Sequence, residues 1–399
     1  MGKWEMVRLG DVCDFINGDR GKNYPSSKDF CESGIPFINA GHLENDIVSF
    51  DNMNYISEQK YNSLGAGKVQ RGDLLYCLRG SLGKLALIED IEKGAIASSL
   101  VILRPQKIDK NFLRYSMKTP FILEQQLKAN NGSSQPNLSA ASVKNYSIPL
   151  PPLATQQKIA DILDRASALI EKRKAQIEKL DLLVKSQFVE MFGDPVTNPM
   201  DFPLVKIGDF TTKIRSGLSR KLAADDIGIP VIRSTNMING YLDTTDIKYW
   251  YIKDPQGANT SDYILEDGDI LVNFINSNEH IGKVCLFKDM GRDCIYTTNI
   301  FVVKVDNSCS NIWFSNFAKT SAYKAKLSRI IQPAVNQSSF TTARFREIEI
   351  PLPPFALQTQ FAAFVECVEA QKAQLKKSLT LLELNYKSLM QKCFIGEVF

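Results

Sequence analysis

No stretch of this 399-residue chain approaches the ~18 consecutive apolar residues that a membrane-crossing helix requires. No membrane association is therefore expected. Histidine is nearly absent, with only His42 and His280, and none of the eight cysteines falls in a CxxC pair. A zinc site needs ligands clustered at short spacing, so no metal site is expected and the cysteines read as reduced thiols. No glycine-rich strand–turn–helix of the kind that holds an adenosine cofactor occurs. "GSLGK" (Gly80–Lys84) lacks both the spacing and the trailing hydroxyl of a phosphate loop. Neither sign of charge dominates: 48 Lys and Arg face 44 Asp and Glu, for a net +4. Such a balance permits nucleic-acid binding without arguing for it. The opening "MGKWEMVRLGDV" has no apolar core of signal-peptide type, so a cytoplasmic location is expected.

What the chain does have is itself, twice. "IPLPPLATQ" (Ile148–Gln156) returns 202 residues later as "IPLPPFALQ" (Ile350–Gln358). Laid on one another, the halves match in the same order: "VRLGDV" with "VKIGDF", "GIPFI" with "GIPVI", "RGDLL" with "DGDIL", Gly83-Lys84 with Gly282-Lys283, and Gln135-Pro136 with Gln332-Pro333. The offset drifts between these landmarks, so a framework is kept while the loops differ in length and chemistry. "YCLRGSLGK" stands opposite "VNFINSNEHIGK". A duplicated scaffold with divergent loops suits two related sites that read different things.

From the proline phrase onward the offset stays at 202 for about forty residues. Steps of four and three from Ile159 give Leu163, Ala166, Ile170, Arg173, Ile177, Leu180, Val184, Gln187 and Met191; eight of these ten are apolar. The second series is Phe361, Val365, Val368, Lys372, Leu375, Leu379, Leu382, Tyr386, Leu389 and Cys393, with nine apolar. This is a heptad seam, written twice, uninterrupted by glycine or proline. Each copy predicts a helix of ~38 residues, ~57 Å long at ~1.5 Å per residue, and a seam of that length needs a partner. Connectivity favours antiparallel pairing of the two. The prolines read as a stiff exit from a globular domain into a helix start, and Gly193 with Pro195, echoed by Gly396, reads as a helix stop.

Within the halves, short β-branched and aromatic runs alternate with Gly, Pro, Asn and Ser, as in "IPFINA", "DLLYCL" and "DILVNFI". These read as strands, followed by one or two helices. Each half is expected to be α+β with a mostly antiparallel, curved sheet. The divergent loops carry side chains suited to DNA. Arginine forks fit guanine, Asn and Gln amides fit adenine, and Lys, Arg and Ser hold phosphates. The candidates are Arg20, Lys22, Tyr24, Arg79, Ser81, Lys84, Gln135 and Asn137 in the first half. In the second they are Arg215, Arg220, Lys221, Arg233, Asn276, Asn278, Lys283 and Asn336. The reading applies to the loops as sets rather than to any one side chain.

"LPPL" and "LPPF" look like the proline signature of amino-methyltransferases, but Leu150 and Leu352 stand where that signature has a polar acceptor. No nucleophile is evident beside either histidine, and the chain reads as non-catalytic. "IPLPPLATQQKIADILD" through "MFGDPVTNP", together with "IPLPPFALQTQFAAFV" through "MQKCFIGEVF", resembles the conserved regions of DNA specificity subunits of type I restriction–modification systems. "RGDLLYCLRGSLGK" and "NGSSQPNLS" resemble parts of their target-recognition domains. One departure is "LQTQFAAFV" in the second copy, where the first has "TQQKIADIL".

The resemblance implies two target-recognition domains (1–147 and 194–349) and two conserved long helices (148–193 and 350–399). The helices would pack as an antiparallel intramolecular coiled coil, giving a pseudo-two-fold repeat. It implies a chain that binds double-stranded DNA at a bipartite, asymmetric site and directs adenine-N6 methylation. Two modification subunits would dock on it, joined in a restriction complex by two motor–nuclease subunits. S-adenosylmethionine, ATP and Mg would belong to those partners, with no cofactor on this chain. The seam residues Ile159, Leu163, Ile170, Ile177, Leu180, Val184, Phe361, Val365, Val368, Leu375, Leu379 and Leu382 would form the spacer. Two other readings stay open: a solitary specificity subunit serving a methyltransferase only, and a coiled-coil scaffold with two protein-binding domains.

Overall fold

The computed structural model describes residues 4–130, 136–238, 240–334 and 337–399. It divides into two compact units, one of Met1–Lys174 with Lys377–Phe399 and one of Ala175–Lys376. The strands of the repeat explain the buried apolar runs. In the first unit one antiparallel sheet orders its strands Leu85–Leu87, Leu74–Cys77, Leu100–Pro105, Cys13–Asn17. In the second unit the equivalent sheet orders them Val284–Leu286, Ile270–Asn273, Ile300–Val305, Thr211–Ser216. Every residue of Leu74–Cys77 and of Ile270–Asn273 is buried, because successive side chains enter different cores. Leu74 and Tyr76 belong to the core that contains the long helices, whereas Leu75 and Cys77 pack towards a further sheet. Ile270 and Val272 repeat the first arrangement and Leu271 the second.

That further sheet departs from the expected single curved sheet. Ile35–Ile38 pairs antiparallel with Asn54–Ile56 and parallel with Gly94–Ile96; Gly228–Ile232 does the same with Lys248–Tyr251 and Ile295–Tyr296. A strand buried on both faces needs two covering layers, and one sheet with one helical layer supplies only one. The Gly-Asp landmarks pin the two sheets together. Gly72 and Gly268 hold left-handed backbone at φ +93° and +85°, a conformation glycine adopts without steric cost. The next residue is a buried aspartate. Asp73 accepts from the Gln70 amide at 2.8 Å and from Arg104 at 2.8 and 2.9 Å; Asp269 accepts from the Glu266 amide at 2.9 Å and pairs with Lys304 at 3.4 Å.

The long helices run Leu153–Phe192 and Phe355–Ile395, 40 and 41 residues. Of the twenty seam positions named from the sequence, none is exposed. In the first unit Ile159, Ala160 and Leu163 share one core with Met390, Cys393 and Phe394, and Phe394 stacks on Phe112 at 5.1 Å. In the second, Val184, Phe188 and Phe192 share one core with Phe361, Val365 and Val368, and Phe361 meets the rings of Phe188 and Phe192 at 5.5 and 5.4 Å. In each unit, therefore, the beginning of one long helix is buried with the end of the other. Gly193 and Gly396 terminate the helices at φ +70° and +82°.

The proline phrase differs from its sequence reading. Its first residues form a short strand, not a bare exit: Met6–Arg8 pairs with Ser147–Pro149, and Leu204–Lys206 with Glu349–Pro351. A two-stranded ribbon is all edge, so the missing proline N–H interrupts no ladder. The phrase's glutamine then does the fastening. Gln156, 2% exposed, accepts from the Asp109 amide at 2.8 Å and donates to the Pro151 carbonyl at 2.8 Å. Gln358, fully buried, accepts from the Ser310 amide at 2.8 Å and donates to the carbonyls of Pro353 and Ser308 at 2.7 and 3.1 Å. Each glutamine ties the start of a long helix to the N-cap residue of a shorter one, Lys110–Ser116 or Asn311–Phe317. Replacing Gln358 with Leu removes the side-chain partner of the Ser310 amide and of the Pro353 and Ser308 carbonyls. The expected loss is ~1–3 kcal/mol, read as a lower urea midpoint for the second unit; Gln156→Leu is expected to act likewise on the first.

Candidate nucleic-acid interface

In the first unit, four loops that are far apart in sequence converge through backbone hydrogen bonds. The Leu78 amide donates to the Ser99 carbonyl (2.8 Å) and the Leu138 amide to the Leu78 carbonyl (2.8 Å). Arg79 bridges Asn137 as an isolated strand pair, and the Arg20 guanidinium donates to the Ser98 carbonyl at 3.4 Å. The second unit repeats this frame. Phe274 donates to the Asn299 carbonyl (3.1 Å) and Phe340 to the Phe274 carbonyl (3.2 Å). Ile275–Asn276 then pairs with Ser338–Ser339. A glycine lets the first loop cross the end of a neighbouring strand in each copy. A Cβ at Gly18 would lie 2.6 Å from the Ala97 carbonyl oxygen, and one at Gly217 would lie 2.0 Å from that of Tyr296.

The frame thus brings Arg20, Arg79 and Asn137 together, all exposed, with Lys22, Ser81 and Lys84 exposed in the same loops. Lys84 also lines a cavity of about 360 Å³ with Glu44, Asp46 and Lys118. Tyr24 points elsewhere, its ring set edge-on against Phe37 at 5.7 Å within an apolar cluster. In the second unit Asn276 and Asn278 lie on the equivalent strip; Asn276 donates to Asn273 Oδ1 at 2.9 Å and Asn278 accepts from Ser338. Lys221 is exposed and Lys283 half-buried. Gln135 and Asn336 lie outside the described residues.

The three candidate arginines of the second unit are engaged with carboxylates. Arg215 lies over the Tyr263 ring, 4.2 Å from its centroid, and pairs with Asp262 at 3.4 Å. Arg220 donates to Asp254 Oδ2 from Nε and from the guanidinium end at 3.0 and 2.6 Å. Arg233 donates to the carbonyl and to the carboxylate of Asp246, each at 2.7 Å. These pairings were not legible in the sequence, because each partner lies 13 to 47 residues away. Sequence reading also passed over Ser98, Ser99 and Asn299. They enter the strip through main-chain carbonyls, which carry no residue signature.

Of the eight cysteines, only Cys31 and Cys367 are exposed. Burial pushes the Cys13 and Cys285 thiols up to about 12 and those of Cys294 and Cys393 up to about 11. Such thiols are poor thiolate nucleophiles. Among the described residues no group of three or more His, Cys, Asp or Glu is placed to hold a metal ion, and no helix is long and apolar enough to cross a membrane.

The family model described as the type I restriction modification DNA specificity domain matches residues 1–179 and again 199–384. The chain belongs to that family. The double match falls on the two halves of the internal repeat. The chain is 22% identical to the EcoKI type I restriction enzyme specificity subunit of Escherichia coli strain K12, over 99% of this chain and 89% of that one. It is 29% identical to the MjaVIII specificity subunit of Methanocaldococcus jannaschii over 186 residues, 44% of this chain and 43% of that one. The chain thus spans under half the length of that archaeal relative. The solved S subunit of a type I system from M. genitalium shares the fold, with a TM-score of 0.58 at 16% identity, covering 98% of this chain and 96% of that one. Specificity subunits of type I systems are non-catalytic, and the enzymatic activities lie with partner subunits.

The Arg220 pair carries a pH signature. Hydrogen bonds from Arg220, above all, hold the Asp254 carboxyl down at about 2 against an ordinary value of 3.8. A depressed carboxylate stabilises the fold above its unfolded value and loses that contribution as pH falls through its folded value. Arg220→Ala is therefore expected to be less stable than the parent chain at pH 5, and the gap should shrink as pH falls from 4 to ~2. Paired urea titrations across that range measure it; a gap independent of pH would count against the assignment.

Proposed function

We propose that this chain reads a bipartite, asymmetric DNA sequence, one half per unit, and thereby directs adenine-N6 methylation by modification subunits docked on it. The observation that carries the reading is the repeated strip. One backbone frame holds Arg20, Lys22, Arg79, Ser81, Lys84 and Asn137 in the first copy, and Asn276 and Asn278 in the second. A common frame with unlike side chains gives a common mode of docking and different base preferences. The two long helices serve as the spacer, packed as one antiparallel intramolecular coil. The unexposed seam positions and the cores shared between helix ends support this. In the assembled system two modification subunits use S-adenosylmethionine, and two motor–nuclease subunits use ATP and Mg; this chain binds none of these cofactors. The location is cytoplasmic, where the host's DNA lies.

Exchanging residues 1–147 for those of a related chain is expected to change one half of the methylated sequence and leave the other intact. Sequencing methylated adenines in cells that express the chimera with its modification subunit reads this directly, and a change in both halves would overturn the modular reading. The triple variant Lys22→Ala, Arg79→Ala, Lys84→Ala is expected to weaken binding to target and non-target duplexes alike. It should also reduce the slope of log K against log salt by ~0.9 for each phosphate that is no longer neutralised. Fluorescence anisotropy of the methyltransferase complex, followed from low to high salt, measures both.

A further inference from the structure

The seam of the second long helix contains one charged residue, Lys372, where the repeat puts Ile170 in the first. Lys372 is 3% exposed. Its ammonium donates to Asp181 Oδ1 on the first long helix at 2.5 Å and to the Tyr241 hydroxyl at 3.0 Å, with Glu369 Oε1 at 3.5 Å. Tyr241 donates to Asp181 Oδ1 at 2.8 Å, and Glu369 Oε1 stands 3.1 Å from the same hydroxyl. Three ammonium groups approach the Tyr241 ring, Lys372 at 4.1 Å, Lys319 at 4.6 Å and Lys376 at 5.9 Å from its centroid. Three separate elements of the second unit therefore meet around the buried Lys372 ammonium: both long helices and the hairpin of Met237–Ile238 and Tyr241–Leu242. The hairpin is pressed close, since a Cβ at Gly240 would lie 2.4 Å from Lys319 Cε.

The first unit has the same hairpin, Leu43–Glu44 with Ile47–Val48, and closes it with different chemistry. Asp46 stands in the place of Gly240 and pairs with Lys118, the counterpart of Lys319. Ile47 stands in the place of Tyr241 and is 60% exposed. The long helix is engaged through Asp164, which accepts from Arg114 at 2.5 Å and from Tyr115 at 2.6 Å. In the second copy Arg114 and Tyr115 become Ser315 and Asn316. The counterparts of Lys372, Asp181 and Glu369 in the first unit are Ile170, Glu383 and Ser167. Neither fastening can be rebuilt from the other copy's residues.

A buried charge on a helix seam is a poor way to gain stability, because desolvation offsets most of the Coulomb gain. Its attested use is to select one register and one partner at some cost in stability. We propose that Tyr241, Asp181 and Lys372 form a position-specific lock, which seats the second domain on its own stretch of the helix pair and which the first domain's hairpin cannot close. A first-domain hairpin in that seat would set Ile47, which carries no hydroxyl, against the Lys372–Asp181 pair. The lock stands on the geometry; only the description of the domains as DNA readers rests on the preceding proposal, and the test uses no DNA.

The full-length chain is compared with Lys372→Ile, with the double variant Lys372→Ile/Asp181→Leu, and with Tyr241→Ile, which supplies the first domain's residue. Thermal unfolding and amide hydrogen exchange are read on each. Lys372→Ile is expected to melt lower than the parent, and the double variant to recover most of that loss. In the double variant and in Tyr241→Ile, amides of 237, 238 and 240–242 are expected to exchange about tenfold faster, as loss of hydrogen bonds to charged groups implies. The hairpin of 43–48 should be unchanged. If Lys372→Ile does not fold, the other two variants decide. Parental protection of those five amides in either would overturn the lock, as would a rise in exchange shared equally by the whole second unit.

Discussion

Each central sheet buries one face in a core that the unit's shorter helices share with the ends of both long helices. Tyr76, Leu74, Val101 and Leu103 lie in one core with Ile159, Leu163, Met390 and Phe394; Ile270, Val272, Phe301 and Val303 lie in one core with Phe188, Phe192, Phe361 and Val365. The side chains on that face are almost wholly buried, and each aliphatic or aromatic one contributes ~1.5–3 kcal/mol through burial. Removing either helix end would open part of that core to water. The unit is therefore not a domain with a helix attached. It is a domain whose core is completed by residues from two distant parts of the chain.

That constraint explains the repeated phrase. Because the helix is part of the core, its starting angle has to be fixed. The short strand at Ser147–Pro149 and the buried Gln156 fix it, as Glu349–Pro351 and Gln358 do in the second copy. The glutamine suits this role because one side chain both donates and accepts, satisfying a backbone amide and a backbone carbonyl at once. The parts that face away from this core are under no such constraint, and there the copies differ. A chain built this way can vary its loops without disturbing its frame, as a family of sequence readers requires.

The polar network around Lys372 adds a second kind of constraint. Apolar seams alone are permissive, since any two such helices can pair in more than one register. Asp181, Tyr241 and Lys372 tie one register to one hairpin, whereas in the first unit Asp46 pairs with Lys118 and Asp164 accepts from Arg114 and Tyr115. Similarity of frame and dissimilarity of fastening coexist because they act on different atoms: the frame on main-chain groups, the fastening on side chains.

Much of this was legible from residue order. The repeat, the two long helices with their glycine stops, the buried strands and the absence of metal-ligand spacing all follow from local patterns, because period and punctuation are properties of neighbours in sequence. The sequence alone also placed Lys372 on the seam, without saying what would neutralise it. Only the tertiary structure decided that the sheets come in pairs, that Pro149 and Pro351 end strands, and that Arg215, Arg220 and Arg233 are held by Asp262, Asp254 and Asp246. The physical reason is the same in each case. A side chain's type sets which bonds it is able to make, but which partner comes within about 3 Å depends on how remote segments pack, and no local period encodes that distance.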